Sequence, residues 1–189
     1  MTKPQLRSTL KLTLNNLSPD HWRQASNALC ARLDPLLQPF QTVLFYFPTH
    51  GEVDIGPSAQ SHLARAGRAC LPRAGWDDRS ISAHLVDRWG ENLSVGRHNI
   101  REPAESAPSV SLDTLDVVIV PGLGFDDHAG RLGRGGGFYD RFLARPELRA
   151  WKVGVALDEQ VVAEVPREAW DVGIDALVTP TRTLVFTPR

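Results

Sequence analysis

Two stretches constrain this chain more than any others. Thr42 to Phe47 (TVLFYF) and Asp116 to Val120 (DVVIV) are continuous runs of apolar, β-branched and aromatic residues. A strand with one solvated face alternates apolar and polar side chains, so a run without alternation marks a strand covered on both faces. Ala69 to Leu71, Lys152 to Leu157 (KVGVAL), Asp175 to Thr179 (DALVT) and Thr183 to Phe186 read as further strands. Helical segments fall between them. Leu6, Leu10, Leu14 and Leu17 recur at helical spacing, with Lys3, Arg7 and Lys11 as a basic stripe on a neighbouring face, and this first helix should end near Asn15-Asn16. Ser18-Pro19-Asp20 opens a second helix, with Ser18 as cap and Leu17 and Trp22 placed as a hydrophobic staple, running to about Leu37. Pro57 to Ala66 is a third, closed by Gly67, and a fourth starts at about Gly137 and ends at Ala144. Strands alternating with helices predict an α/β chain with a mostly parallel sheet covered on both faces. Ile81 to Val86 alternates only weakly, and Arg97 to Ser111 is polar and proline-bearing, so a long surface excursion is expected there.

Residues 1–189 fit one domain, large enough to bury roughly 70% of its unfolded surface. The net charge of -1 recruits neither nucleic acid nor membrane, so any basic site must be local. No apolar run reaches the roughly 18 residues that a spanning helix needs. Cys30 and Cys70 are in no metal-like spacing; a disulfide stays open, and two buried thiols in a reducing cytoplasm is the favoured reading. The absence of any acid before Asp20 also suits an organelle transit peptide, but the leucine spacing favours a docked helix of the mature fold. A cytoplasmic monomer is expected.

The chemistry centres on Gly130-Arg-Leu-Gly-Arg-Gly-Gly-Gly-Phe-Tyr-Asp140, which follows a buried strand and leads into a helix. Ligands of open α/β sheets bind beyond the carboxyl ends of the strands. Successive glycines let the backbone approach an anion and turn N–H groups toward it; the helix start, Arg131 and Arg134 add positive charge. The P-loop pattern is absent, and the dinucleotide pattern fails because Phe138 stands where its third glycine should be. This is therefore a phosphate cradle of another type. Asp140, one turn into the helix, is placed to share Mg2+ with phosphate oxygens. Asp126 and Asp127 read either as ligands or as braces of the loop, bracing being the favoured reading, and His128 is expected to be exposed loop rather than a catalyst.

The segment VIVPGLGFDDHAGRLGRGGGFYDRFL resembles the signature of the 5-formyltetrahydrofolate cyclo-ligase family nearly throughout. KPQLR near the start, YFPTHGEVD after the first strand, Arg101-Glu102-Pro103 and PREAWDVGIDALVT follow the family in the same order. The resemblance implies a three-layer Rossmann-like fold with a mostly parallel central sheet, a folate substrate, and use of ATP with Mg2+. It implies ATP contacts from Lys3, Arg7 and the run Arg131, Leu132, Gly133, Arg134, Gly135, Gly136, Gly137, Phe138 and Tyr139. It also implies folate contacts from Phe47, Glu52, Arg134 and Phe138, catalytic roles for Arg134 and Asp140, and Asp140 with Asp171 as Mg2+ ligands. Phe138 stands where the family commonly has Tyr, and Trp170 where His is frequent. Two other readings are an ATP-dependent enzyme activating a different formamide or carboxylate, and a non-catalytic nucleotide- or RNA-binding module. The near-neutral charge and the presence of Asp140 and Asp171 rank the last lowest.

Overall fold

The computed structural model of the chain describes residues 1–187. Its helices are α1 (Lys3–Asn15), α2 (Pro19–Leu37), α3 (Gly56–Ala64) and α4 (Phe138–Leu143). Both long helices begin on side-chain caps. Thr2 and Gln5 form a capping box at α1, and the Ser18 hydroxyl accepts the His21 N–H at 3.1 Å at α2.

The strands in chain order are β1 (Thr42–Leu44), β2 (Arg68–Gly75), β3 (Ser80–Val86), β4 (Leu93–Val95), β5 (Arg101–Pro103), β6 (Ser109–Val110), β7 (Val117–Val120), β8 (Gly124–Asp126), β9 (Arg131–Leu132), β10 (Trp151–Val155), β11 (Val161–Val162), β12 (Ala176–Val178) and β13 (Thr183–Val185). The main sheet runs β13-β12-β10-β7-β1-β2-β3-β6. Its centre, from β12 to β2, is parallel, and antiparallel strands close both edges.

Alternate residues of the parallel strands enter two separate cores, which is why neither strong run alternates in polarity. Val117 and Ile119 pack with Leu6, Leu10 and Leu14 of α1 and Leu29, Leu33 and Leu37 of α2. Val118 and Val120 pack on the opposite face with Phe142 and Leu143 of α4. Leu29, Leu33 and Leu37 are fully buried, each contributing about 2 kcal/mol of hydrophobic stabilisation. The result is a three-layer α/β arrangement.

Four expectations change. β1 ends at Leu44, so Tyr46 and Phe47 leave the sheet on a loop, although the Phe45 N–H still donates to Cys70 O at 2.9 Å. The short strand at Ala69–Leu71 is one half of a long hairpin, β2–β3, with Ala69 opposite Val86 and Gly75 opposite Ser80. The segment after it is no loose excursion: β4 pairs with β5, and β6 completes the sheet edge against β3. Finally, the glycine loop does not follow β7 directly. A small sheet, β11-β8-β9, intervenes, and α4 spans only six residues, so its dipole adds less positive potential than the sequence implied. Cys30 and Cys70 are free and buried.

Candidate active site

The loop from Gly133 to Gly137 bends at two glycines whose left-handed backbone strains most other residues. Gly135 and Gly137 have φ of +106° and +72°, and neither has a side chain that would crowd the cleft. The loop stands between two adjoining cavities, and Arg131, Gly133, Gly135, Gly136, Gly137 and Asp140 line both.

The first cavity, about 700 Å³, is mainly apolar. Phe47 stacks on Trp89 with ring centres 5.3 Å apart, and Arg101 lies 5.2 Å from the Phe47 ring centre. Phe138 meets Trp76 edge-on at 5.1 Å. Tyr139 faces the same space; burial pushes its phenol pKa up, with Glu52 adding to the shift and Arg131 opposing it. Glu52 is the fixed acid of this cavity. Its Oε2 accepts the Thr49 N–H at 2.9 Å and the Thr49 hydroxyl at 2.8 Å, and its Oε1 lies 3.3 Å from Arg134 Nε. Arg134 reaches from the glycine loop to donate to the His50 and Gly51 carbonyls as well, tying the two walls together.

The second cavity, about 590 Å³, is lined by Lys3, Arg7, Arg79, Arg131 and Arg141 against Asp140, Glu168 and Asp171, a net charge of +2 from five cations and three carboxylates. Lys3 and Arg7 of the basic stripe of α1 thus form one of its walls, whereas Lys11 lines the first cavity. Arg7 Nε donates to Gly133 O at 2.9 Å, so α1 touches the glycine loop directly. Lys3 pairs with Asp171 at 2.5 Å and with Glu168 at 2.7 Å. Burial alone would lower the Lys3 pKa, but the hydrogen bonds to Asp171 and Glu168 outweigh it and raise the value. Arg131 pairs with Asp140 at 2.5 Å and lies 5.9 Å from the Tyr139 ring centre. Its buried Nε has no hydrogen-bond partner among the described residues.

The structure therefore brings together every residue that the sequence placed at the site, with one qualification. The Leu132 side chain is in the core, leaving only its backbone to face the cavity. Asp126 braces, as expected: it accepts N–H groups of Gly130 at 2.7 Å, Val165 at 2.8 Å and His128 at 2.9 Å. Burial opposes its charge, but those three N–H groups and Arg167 hold its carboxyl below the usual range. Asp127 pairs with Arg182 at 3.1 Å, and His128 is exposed. Sequence reasoning missed Trp76, Arg79, Trp89, Arg101 as a cation over Phe47, and Glu102, which accepts the Ala74 N–H at 3.1 Å. Their signal was weak because Trp76, Arg79 and Trp89 are on turns and Arg101 and Glu102 on a three-residue strand, none of which shows a clear periodicity.

The model of the 5-formyltetrahydrofolate cyclo-ligase family matches residues 1–180. A 5-formyltetrahydrofolate cyclo-ligase of Mycolicibacterium smegmatis is 32% identical over 97% of this chain and 96% of its own length. One of Escherichia coli is 33% identical over 88% of this chain and 93% of its own. The solved structure of the Aquifex aeolicus 5,10-methenyltetrahydrofolate synthetase is 34% identical, covers 100% of this chain and 95% of that one, and superposes with a TM-score of 0.87. With the signature loop dividing two cavities and a match along nearly its whole length, the chain belongs to the 5-formyltetrahydrofolate cyclo-ligase family.

Proposed function

We propose that the chain, acting as one domain, converts 5-formyltetrahydrofolate to 5,10-methenyltetrahydrofolate with cleavage of ATP to ADP and phosphate in the presence of Mg2+. The observation that carries this reading is the position of the glycine loop between an aromatic cavity and a cationic one. A flat, partly apolar ring system suits the first; a polyphosphate suits the second.

In the first cavity, Phe47 and Phe138 offer ring faces and edges to the pterin, and Glu52 offers carboxylate lone pairs to its N–H groups. In the second, Lys3, Arg7 and Arg131 meet phosphate oxygens, helped by backbone N–H groups of Gly133 to Gly137. A phosphate oxygen would also give the unpartnered Arg131 Nε an acceptor, relieving a cost of about 1–3 kcal/mol. Asp140 and Asp171 fit Mg2+, which takes one or two carboxylates together with phosphate oxygens and water. Among the described residues no group of three acids or histidines could hold a metal alone, which suits an ion arriving with its nucleotide. When bound, Mg2+ neutralises phosphate charge. Asp171 and Asp140 now pair with Lys3 and Arg131; were those carboxylates to hold Mg2+, the two cations would be free to meet phosphate oxygens, leaving no buried charge unpaired.

A formamide oxygen is a poor leaving group, which sets the chemistry. The formyl oxygen attacks the terminal phosphorus, forming an O–P bond as the bond to ADP breaks. N10 then attacks the activated carbon and loses its proton. The C–O bond breaks, phosphate departs and the ring closes. Arg134, on the loop between the two ligands, stabilises the charge on the transferring group, and the remaining residues position the partners.

The test is absorbance of the methenyl product from 5-formyltetrahydrofolate, with and without ATP and Mg2+. Product is expected only when both are present. Equal product without ATP, or none with it, would remove the reading.

A further inference from the structure

The turn joining β2 to β3 belongs to both cavities. Gly75 pairs with Ser80, so Trp76 to Arg79 make the connection, and Asp78 secures it by accepting the Ser80 N–H at 3.0 Å. Trp76 lines the first cavity, edge-on to Phe138 and 5.3 Å from the His98 ring. Arg79 lines the second, together with Lys3 and Arg7. Its φ of +56° is left-handed, a conformation that costs a side chain of its length and that asparagine accepts more readily.

Arg79 and Arg141 are the two cations of the second cavity that no side-chain hydrogen bond or ion pair among the described residues engages, and Arg79 is the one on the turn that also reaches the first cavity. Lys3 and Arg131 already face carboxylates, whereas no hydrogen bond or ion pair among the described residues engages the Arg79 side chain. Arg79 therefore belongs to the unneutralised surplus, and its planar fork matches phosphate oxygens. We infer that Arg79 is a further phosphate-binding residue for the nucleotide, and that Trp76 positions it by packing against Phe138 in the neighbouring cavity. This rests on the reading that the second cavity takes the nucleotide. One turn then serves both ligands: whatever fixes Trp76 on the folate side also fixes Arg79 on the nucleotide side.

The experiment is calorimetric titration of the full chain with a non-hydrolysable ATP analogue and Mg2+, and separately with 5-formyltetrahydrofolate. Arg79→Asn keeps the left-handed backbone and removes the guanidinium. It should raise the Kd for the analogue about five- to tenfold and leave that for the folate unchanged. Trp76→Ala should raise both, and Trp76→Phe, which keeps an edge contact to Phe138, should restore the analogue value. In the double variant Trp76→Ala/Arg79→Asn, the analogue Kd should be no higher than in Arg79→Asn alone, because Trp76 acts on the nucleotide through Arg79. An unchanged analogue Kd in Arg79→Asn overturns the assignment, and full additivity in the double variant overturns the positioning role. Failure of the unsubstituted chain to bind the analogue overturns instead the cavity reading beneath both. Thermal melting of each variant separates lost contacts from lost fold.

Discussion

At the scale of single residues, the metal-ligand role proposed for Asp140 competes with the ion pair that the structure gives it. The sequence points to a metal ligand; the structure adds that its carboxylate neutralises Arg131, whose side chain is only 2% exposed. Asp140→Asn removes the charge facing a buried guanidinium, so it should cost about 1–3 kcal/mol of stability in addition to turnover. The expected outcome is loss of methenyl product together with a lower melting temperature that leaves a folded chain at 25 °C. Near-normal turnover would remove Asp140 from the metal site. The Arg131–Asp140 pairing was not legible beforehand, because it depends on the loop folding back between β9 and α4. Asp126 is the opposite case. An acid next to a glycine-rich turn reads as a brace from sequence, and its three N–H partners are that brace.

At the scale of elements, α3 is docked through a buried histidine. The His62 Nε2–H donates to Gln41 O at 3.1 Å, its Nδ1 accepts from Arg65 at 3.2 Å, and its ring lies edge-on to Phe45 at 5.7 Å. Burial lowers its pKa, the Gln41 carbonyl opposes the shift and Arg65 adds to it. The unfolded chain therefore takes up the proton more readily than the folded one. Stability from this ring is complete above the ordinary value of 6.5 and is lost as pH falls from there through the lower folded value. Melting temperature should thus fall between about pH 7 and pH 5, and His62→Gln should flatten that fall. A variant with the same pH slope as the unsubstituted chain would contradict this. The helices themselves were readable because caps and leucine spacing are local signals, as at Ser18 and Leu6–Leu10–Leu14. The β2–β3 hairpin and the β4–β5 pair were not. Their residues face a cavity as much as a core, so Trp76 and Glu102 lack the steady alternation that marks an ordinary half-buried strand.

At the scale of the whole molecule, the parallel centre of the sheet was legible from two apolar runs, and the site position followed from it. What could not be read was the division of the site. The sequence supplies one anion cradle; the structure makes that cradle a partition, with α1 and the β2–β3 turn lining the cationic cavity and β5 lining the aromatic one. In the proposed reaction a phosphoryl group crosses this partition onto the formyl oxygen. The direct measurement is one turnover with 5-formyltetrahydrofolate carrying a heavy oxygen isotope in its formyl group, followed by mass analysis of the products. The heavy oxygen is expected in the released inorganic phosphate. Its appearance in water instead, with unlabelled phosphate, would contradict that transfer.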